Sequence, residues 1–313
     1  MRPTTRLHGI HAIVYALFDD AERIDHAAMQ AQVRACLAAG VHGIAALGLA
    51  TEVAKLREAE KCAVMDCVAQ ANDGAVPLAF AISGASVAEQ RAQIRHAERA
   101  GADWVILQPP VAGSHGPAEY IAFFGQVAGE TDLPVAIQNA PAYMGRGLAP
   151  DEIADLVTRH PNIRLLKGEG SAIDIRRVIE ATRGQVPVFN GRGGLELTDN
   201  LRAGCAGFIL APDCVDHAVA IHDAFMRGDE AAAEAHYARV LPAITFIMQS
   251  LESLICYGKR IYGLRAGVDV FDRAPAQRPT SFGLELAQAH AARLGPFGRQ
   301  RVAGEAARLA RGR

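Results

Sequence analysis

The 313-residue chain is poor in lysine and has no paired cysteine motif. Lysine occurs only at Lys55, Lys61, Lys167 and Lys259, against 28 arginines. The six cysteines form no Cys-x-x-Cys pair and the eleven histidines are scattered, which argues against a disulfide framework or a zinc site. No apolar stretch approaches the roughly 18 residues of a membrane span, and the first ten residues lack the hydrophobic region of a signal peptide. These absences predict a cytoplasmic protein with no membrane partner and no metal.

An excess of charge of one sign is also missing. The net charge is −2, and no basic stripe with interleaved aromatics occurs in the body of the chain, so nucleic acid is not an expected partner. Half of the residues are hydrophobic, which is ample for a large core. The tail 298–313 carries five arginines and is predicted to be a solvated amphipathic helix or a frayed end rather than a binding arm.

Three similar Ala-Gly segments, at 39–44, 100–105 and 203–208, each join an amphipathic helical stretch to an apolar run. A glycine that ends a helix just before a strand is typical of repeated βα units. Apolar strands are predicted at 9–16, 43–47, 77–82, 104–108, 134–138, 163–167, 186–190 and 207–211. Helices are predicted at 25–39, 57–70, 86–100, 118–130, 150–160, 171–183, 194–203 and 215–226.

Eight strands that alternate with eight helices predict an α/β protein, a TIM (β/α)8 barrel, with a C-terminal helical extension. An open doubly wound sheet gives the same alternation, but the turn after the first strand, 17–20, has no glycine. The expected division is a barrel over 1–226 and a helical domain over 227–313. That domain is expected to break around 263–279 and to resume near 283–294.

The active site of such a barrel lies at the C-terminal ends of its strands. The predicted ends are polar around one lysine, Lys167, which closes the apolar run 163–166. Burial disfavours the charged ammonium and leaves free amine to attack a carbonyl, as a Schiff-base mechanism requires. The alternative is a lysine that only extends its charged end to water.

Four spacings support a specific family. They are Gly48-x-x-x-Glu52 after the second strand, Asn139-x-Pro141 with Gly145 after the fifth, Lys167 at the end of the sixth, and Gly191 at the end of the seventh. With these motifs, the chain resembles the dihydrodipicolinate synthase and N-acetylneuraminate lyase family over roughly residues 8–295. The resemblance implies a barrel with a C-terminal helical domain, assembled as a homotetramer or homodimer. It also implies an imine between Lys167 and pyruvate or another 2-oxo acid, and a reaction that needs no organic cofactor.

The chain departs from the family pattern at several positions. Gln138 replaces the proton-shuttling tyrosine, Leu49 and Ala50 replace hydroxyl residues, and Tyr143 replaces the arginine that holds the aldehyde substrate's carboxylate in the synthase. The aromatic pair that usually follows the fourth strand's proline in the family is replaced here by Pro110-Val111. The family's Thr-Pro of the first strand is replaced by Ala16-Leu17. An amide has no accessible pKa and can only orient or polarise, so synthase activity is not expected.

The segment Gln138-Asn139-Ala140-Pro141 resembles the branch that includes 2-keto-3-deoxy sugar acid dehydratases. The resemblance favours a lyase that dehydrates such an acid through the imine. Two alternatives stay open at this point. One is an aldolase that cleaves C3–C4 from the same imine, and the other is a non-catalytic 2-oxo acid binding protein.

The candidate catalytic residues are Lys167, Gln138, Glu169 and Tyr143. Glu169 points to the same side as Lys167 if the backbone stays extended, and either tunes the lysine, moves a proton or is an exposed loop acid. Tyr143 either replaces the missing phenol or forms a wall. The candidate substrate-binding residues are Gly48, Leu49, Ala50, Thr51, Asn139, Gly191, Arg192 and Ile209. Within this set Gly191 gives backbone clearance, Arg192 contacts a carboxylate, and Thr51 either approaches the substrate or caps a helix; Glu52 is expected to be structural.

Overall fold

The structure, a computed structural model, describes residues 7–110, 113, 115–298 and 300. A closed barrel of eight parallel strands stands at its centre, each strand pairing with its sequence neighbours and β8 closing on β1. The strands are β1 Gly9–Ile13, β2 Gly43–Ala46, β3 Leu78–Ile82, β4 Trp104–Leu107, β5 Val135–Asn139, β6 Ile163–Gly168, β7 Val188–Asn190 and β8 Gly207–Leu210. Nearly every strand residue is buried, as continuous apolar strands require when side chains fill the interior and helices cover the outside. The predicted TIM barrel is confirmed.

Nine helices accompany the barrel strands in the described part of the chain. They are α1 His26–Ala39, α2 Glu58–Asn72, α3 Val87–Arg99, α4 Pro117–Ala128, α5 Pro141–Met144, α6 Pro150–Arg159, α7 Ala172–Ala181, α8 Leu197–Ala203 and α9 Val215–Met226. Gly40 and Gly204 end α1 and α8 with φ of 90° and 101°, as the Ala-Gly segments predicted. The sequence did not predict α5 or the two 3₁₀ turns at Val53–Lys55 and Arg192–Gly194.

The first strand is shorter than predicted. The apolar run continues to residue 16, but β1 ends at Ile13. At Tyr15 the backbone N–H donates to Gln32 Oε1 at 2.8 Å, and Gln32 Nε2 donates to the Tyr15 carbonyl at 3.0 Å. A helix side chain therefore takes the place of a neighbouring strand.

The C-terminal extension is helical, as expected. It comprises α10 Glu230–Ile247, α11 Leu251–Ser253, a π-helical turn at Leu254–Gly258, α12 Lys259–Ala266 and α13 Ser281–Leu294. The predicted break falls between Ala266 and Ser281. No single described helix is long and apolar enough to span a membrane. One bent pair, Glu230–Ile247 with Leu251–Ala266, meets the requirements for a span in length and composition only.

The extension is tied to the barrel by buried charges. Arg265 Nη2 lies 2.6 Å from Asp216 Oδ2, with both side chains fully buried. The division at 226/227 stays a prediction. Most of the arginine-rich tail, 299 and 301–313, lies outside the described residues.

Candidate active site

A cavity of about 50 Å³ lies at the C-terminal ends of the barrel strands. Its lining combines strand ends, the loops that follow them, and the C-terminal helices. The lining residues are Ile13, Leu49, Ala50, Tyr143, Lys167, Glu169, Arg192, Gly193, Ile209, Ala211, Met248, Leu251 and Leu254. Lys167, Glu169, Tyr143, Leu49, Ala50, Arg192 and Ile209 are thus brought together as the sequence led us to expect.

Lys167 is the central polar group of this cavity. It lies near the end of β6, between Gln138 on β5 and Phe189 on β7, and only 3% of it is exposed. Its Nζ is 3.0 Å from Glu169 Oε1. The expectation that Glu169 points to the same side is confirmed, since residues two apart in an extended chain share a face.

Two glutamines complete the surroundings of the carboxylate. Gln138 Nε2 donates to Glu169 Oε2 at 3.3 Å, and Gln108 Nε2 donates to Gln138 Oε1 at 3.0 Å. An ionised carboxylate only accepts hydrogen bonds, so Gln138 turns its NH₂ toward Glu169 and its oxygen toward Gln108. Gln108 therefore positions Gln138, a role that the sequence did not reveal. Its place at the end of β4 was the available signal.

Two glycines keep room for neighbouring side chains of the site, Gly48 for Ile13 and Gly191 for Glu169. A Cβ at Gly48 would lie 2.3 Å from Ile13 Cδ1 and 4.0 Å from Lys167 Nζ. A Cβ at Gly191 would lie 2.6 Å from Glu169 Oε1. The sequence predicts backbone clearance for the substrate at Gly191; in the structure the neighbouring atom is Glu169 Oε1, and Gly191 is not among the residues that line the cavity.

The structure does not bring Thr51 and Asn139 into the cavity. Thr51 Oγ1 donates to the Val14 carbonyl at 2.6 Å, so its hydroxyl neither faces the cavity nor caps a helix. Asn139 exchanges hydrogen bonds with the backbone of Leu148, accepting from N–H at 2.8 Å and donating to the carbonyl at 3.0 Å. Because Asn139 follows Gln138 on one strand, its side chain points to the opposite face.

Tyr143 and Arg192 stand at the more open part of the cavity. Tyr143 is half-buried on the short helix α5. Arg192 Nη1 lies 2.8 Å from Glu196 Oε2 and remains partly exposed. Arg192 therefore contributes a guanidinium to the cavity lining, and Glu196 holds it in place.

Glu52 has the structural role expected of it. It accepts hydrogen bonds from Lys259 and from Lys55, the latter at 2.5 Å. Lys259 is fully buried, with Nζ 5.1 Å from the Phe18 ring centroid. Burial lowers the pKa of Lys259, and the Glu52 carboxylate counteracts that shift. Lys259 is thus a second buried lysine, but its amine is held by Glu52.

A second buried polar pair joins the ends of β1 and β8. The Tyr15 hydroxyl donates to Asp213 Oδ1 at 2.6 Å, beneath the π turn, where a Cβ at Gly258 would lie 2.6 Å from that hydroxyl. Burial raises the pKa of Asp213 to about 6. Burial, together with the Asp213 charge, raises the pKa of Tyr15 well above its ordinary value. The sequence placed both residues at strand ends without assigning a role.

One group of described side chains has metal-ligand spacing, namely His42, His222 and Asp223, whose ligand atoms all lie within 4.8 Å of one another. His42 precedes β2, so the group lies at the end of the barrel away from Lys167. His42 Nδ1 accepts the Ile10 N–H at 3.2 Å. Its proton is then on Nε2, which faces Asp223 Oδ1 at 3.5 Å and is the atom a metal would need. Hydrogen bonding accounts for this group, and the absence of a metal cofactor stays a prediction.

The fold and the cavity define a TIM-barrel protein with a buried lysine and carboxylate at the catalytic end. The model of the dihydrodipicolinate synthetase family matches residues 6–277, and the chain belongs to that family.

Several relatives support the same placement. A 4-hydroxy-tetrahydrodipicolinate synthase of Methanoculleus marisnigri is 33% identical over 72% of this chain and 79% of that protein. The probable 2-dehydro-3-deoxy-D-pentonate aldolase YjhH of Escherichia coli is 26% identical over 83% of this chain and 88% of that protein. The crystal structure of a putative dihydrodipicolinate synthetase from Pseudomonas aeruginosa covers 92% of this chain and 99% of its own, with a TM-score of 0.86 and 25% identity.

Proposed function

We propose that the protein is a lyase that binds a 2-oxo acid as an imine on Lys167. One observation carries the proposal: the buried Lys167 amine lines the cavity at the strand ends, 3.0 Å from the Glu169 carboxylate. The amine attacks C2 of the acid, water leaves, and the protonated imine draws electrons from C3. That imine keeps a positive charge at Nζ, so the contact with Glu169 persists through the reaction.

In the proposed mechanism, Glu169 moves the proton at C3. It is a carboxylate within hydrogen-bonding distance of the reacting nitrogen, and general acid–base catalysis needs an ionisable group within that reach. Gln138 holds the second carboxylate oxygen but has no proton to exchange near neutral pH. The Thr51 hydroxyl is already bonded to the Val14 carbonyl. Glu169 therefore replaces the family tyrosine in this proposal, and Tyr143 is a wall residue.

Two reactions start from the same imine. In dehydration the C3 proton is removed and the C4 hydroxyl leaves as water. In aldol cleavage the C3–C4 bond breaks and an aldehyde leaves. The Gln138-Asn139-Ala140-Pro141 segment favours dehydration of a 2-keto-3-deoxy sugar acid, whereas the name of the E. coli relative YjhH favours the aldolase. A 2-oxo acid binding protein without turnover is the third candidate.

Borohydride trapping tests the imine directly. The protein is incubated with pyruvate and sodium borohydride, digested, and mapped by mass spectrometry. We expect the reduced adduct on Lys167 alone, because Lys259 is held by Glu52 and the other two lysines form ion pairs outside the cavity. Lys167→Arg serves as the control and should give no adduct and no turnover. An unmodified Lys167, or turnover by Lys167→Arg, would contradict the mechanism.

Two further expectations from the sequence stay predictions. One is assembly into a homotetramer or homodimer, which sedimentation velocity would measure. The other is a cytoplasmic location.

A further inference from the structure

The cavity is polar on one arc of the barrel and apolar on the other. The polar arc is formed by Tyr143, Lys167, Glu169 and Arg192, which follow or end β5, β6 and β7. These three strands are consecutive in the closed barrel. The charged groups able to hold a 2-oxo acid therefore lie together, with the Lys167 amine for the carbonyl and the Arg192 guanidinium for the carboxylate.

The other arc carries no side chain with an N–H or O–H group among the described lining residues. Ile209 and Ala211 come from β8 and the turn after it, Ile13 from β1, and Leu49 and Ala50 from the loop after β2. These strands are also consecutive, because β8 closes on β1.

The C-terminal helices continue the apolar surface. Met248, Leu251 and Leu254 join the cavity lining from the segment that runs from the end of α10 to the first residue of the π turn. They complete an apolar wall that begins at the ends of β8, β1 and β2.

A hydroxylated chain does not match this wall. Each hydroxyl of a sugar acid beyond C4 would leave water and find no donor or acceptor side chain on the apolar arc, whereas a hydrocarbon gains by leaving water. Binding pockets of this kind discriminate against an added hydroxyl by roughly 100-fold at most, so the expected preference is measurable but finite.

We infer that the substrate is a 4-hydroxy-2-oxo acid whose group beyond C4 is a hydrocarbon, alkyl or aryl, rather than a polyhydroxylated chain. The inference rests on the proposed imine at Lys167 and names the substrate class of that site; for the group beyond C4 it gives the apolar lining precedence over the sugar acid that the segment 138–141 favours. The acid head lies on the polar arc and the hydrocarbon lies against Leu49, Leu251 and Leu254.

The test compares two acids that share a head and a six-carbon skeleton. They are 4-hydroxy-2-oxohexanoate, with an ethyl tail, and 4,5,6-trihydroxy-2-oxohexanoate, with a dihydroxylated tail. The half-saturating concentration for borohydride capture on Lys167 and the rate of substrate loss are measured for both. Capture reports binding whether or not turnover follows. We expect the ethyl-tailed acid to be favoured by about 10-fold to 100-fold.

Variants of the apolar wall test whether this wall causes the preference for the ethyl-tailed acid. Leu49→Asn and Leu251→Asn place an amide of similar size on half-buried positions of the lining. Each should weaken capture of the ethyl-tailed acid by about 10-fold, weaken capture of pyruvate, which has no tail, by less, and so reduce the preference for the ethyl-tailed acid over the trihydroxy acid. Leu264→Asn is the matched control, because Leu264 is 53% exposed on α12 outside the cavity.

Failure of the substrate inference can be distinguished from failure of the imine mechanism. Equal or tighter capture of the trihydroxy acid overturns the inference, and so does capture of pyruvate with neither longer acid. Failure of pyruvate itself to label Lys167 overturns the imine mechanism, and with it the substrate class.

Discussion

At the scale of single residues, the chemistry depends on how the two oxygens of Glu169 are occupied. One faces the Lys167 amine and the other accepts from Gln138, whose own oxygen is held by Gln108. In this series of contacts, Lys167 and Gln138 face the Glu169 carboxylate, and Gln108 donates to Gln138 behind it. The arrangement separates a group that can exchange a proton, Glu169, from groups that only orient it.

Replacing Glu169 by Gln should lower kcat by roughly 10²-fold to 10⁴-fold, the usual contribution of a general acid or base. Lys167 is still present, so reducible imine should still form. The limb of the pH–rate profile that belongs to the carboxylate should disappear. Tyr143→Phe is the control and should leave the profile's shape unchanged; if it removes a limb instead, Tyr143 is the proton carrier.

Substitutions at Gln138 and Gln108 should lower the rate without changing the shape of the pH–rate profile. Gln138→Ala removes one hydrogen bond to Glu169 and should lose about 1–3 kcal/mol of transition-state stabilisation. Gln108→Leu leaves the buried Gln138 oxygen without its donor and should cost a similar amount. Steady-state kinetics across pH measures both. A shifted or flattened limb in Gln138→Ala would show that the amide does more than orient.

Condensation of pyruvate with aspartate semialdehyde should be negligible, although a 4-hydroxy-tetrahydrodipicolinate synthase is among the relatives. Gln138 cannot pass the protons that the family tyrosine passes, and Tyr143 offers no positive charge to the aldehyde's carboxylate. A coupled assay with the semialdehyde measures this. Turnover at the level of an ordinary synthase would show that another residue performs both tasks.

The residue types at strand ends could be predicted, but their contacts could not. Lys167 and Glu169 follow from an apolar run and from strand alternation, which are local features. The contacts of Thr51 and Asn139 depend on the Val14 carbonyl and the Leu148 backbone, which come from other parts of the chain. The pairing of Gln108 with Gln138 depends on barrel register, which no local pattern specifies.

At the scale of elements, the ends of β1 and β8 are joined by a hydrogen-bonded pair, Tyr15 and Asp213, beneath the π turn. Tyr15 donates to Asp213, and the π turn approaches through Gly258, which has no side chain to collide with the Tyr15 hydroxyl. A π turn is uncommon and is frequently found near functional sites. Here Leu254, its first residue, lines the cavity, so the turn that packs on the buried pair through Gly258 also contributes to the apolar wall.

This pair makes stability depend on pH with a defined sign. Burial raises the pKa of Asp213 from 3.8 to about 6, so the folded protein holds a proton that the unfolded chain releases. The contribution is fully present below about pH 4 and is lost as pH rises to about 6, by roughly 3 kcal/mol. Asp213→Asn still accepts from Tyr15 but does not titrate. Denaturant unfolding of both proteins should show their difference in unfolding free energy changing across that window; a constant difference would contradict the raised pKa.

At the scale of the whole molecule, the alternation of strands and helices was enough to predict the barrel. Each βα unit carries its own signals in apolar runs, N-terminal capping residues such as Asp25 and Ser86, and glycine helix ends. The short elements α5 and the 3₁₀ turns were missed because three or four residues carry too little periodicity. Met248, Leu251 and Leu254 reach the cavity from a distant part of the chain. That placement follows from how the extension packs, which the periodicity of its helices does not show.

The contacts of the C-terminal helices predict that they do not separate from the barrel. Without them Glu52 would lose Lys259, Asp216 would lose Arg265, and the apolar cavity wall would lose three residues. Removing one partner of a buried ion pair typically costs about 3–5 kcal/mol, and two such pairs are comparable to the total stability of an ordinary domain. A chain that ends at Met226 should therefore fail to fold as a native barrel.

The single tryptophan provides the measurement, because Trp104 is fully buried in β4 of the barrel. In the full chain, the change in Trp104 fluorescence and the loss of borohydride capture at Lys167 should occur at the same denaturant concentration. Lys259→Met should shift both transitions together toward lower denaturant, while Lys61→Met, which removes a partly exposed ion pair with Glu58, should shift them by the equivalent of less than about 1 kcal/mol. Native Trp104 emission with cooperative unfolding in the chain that ends at Met226 would instead establish two independent domains divided at that residue.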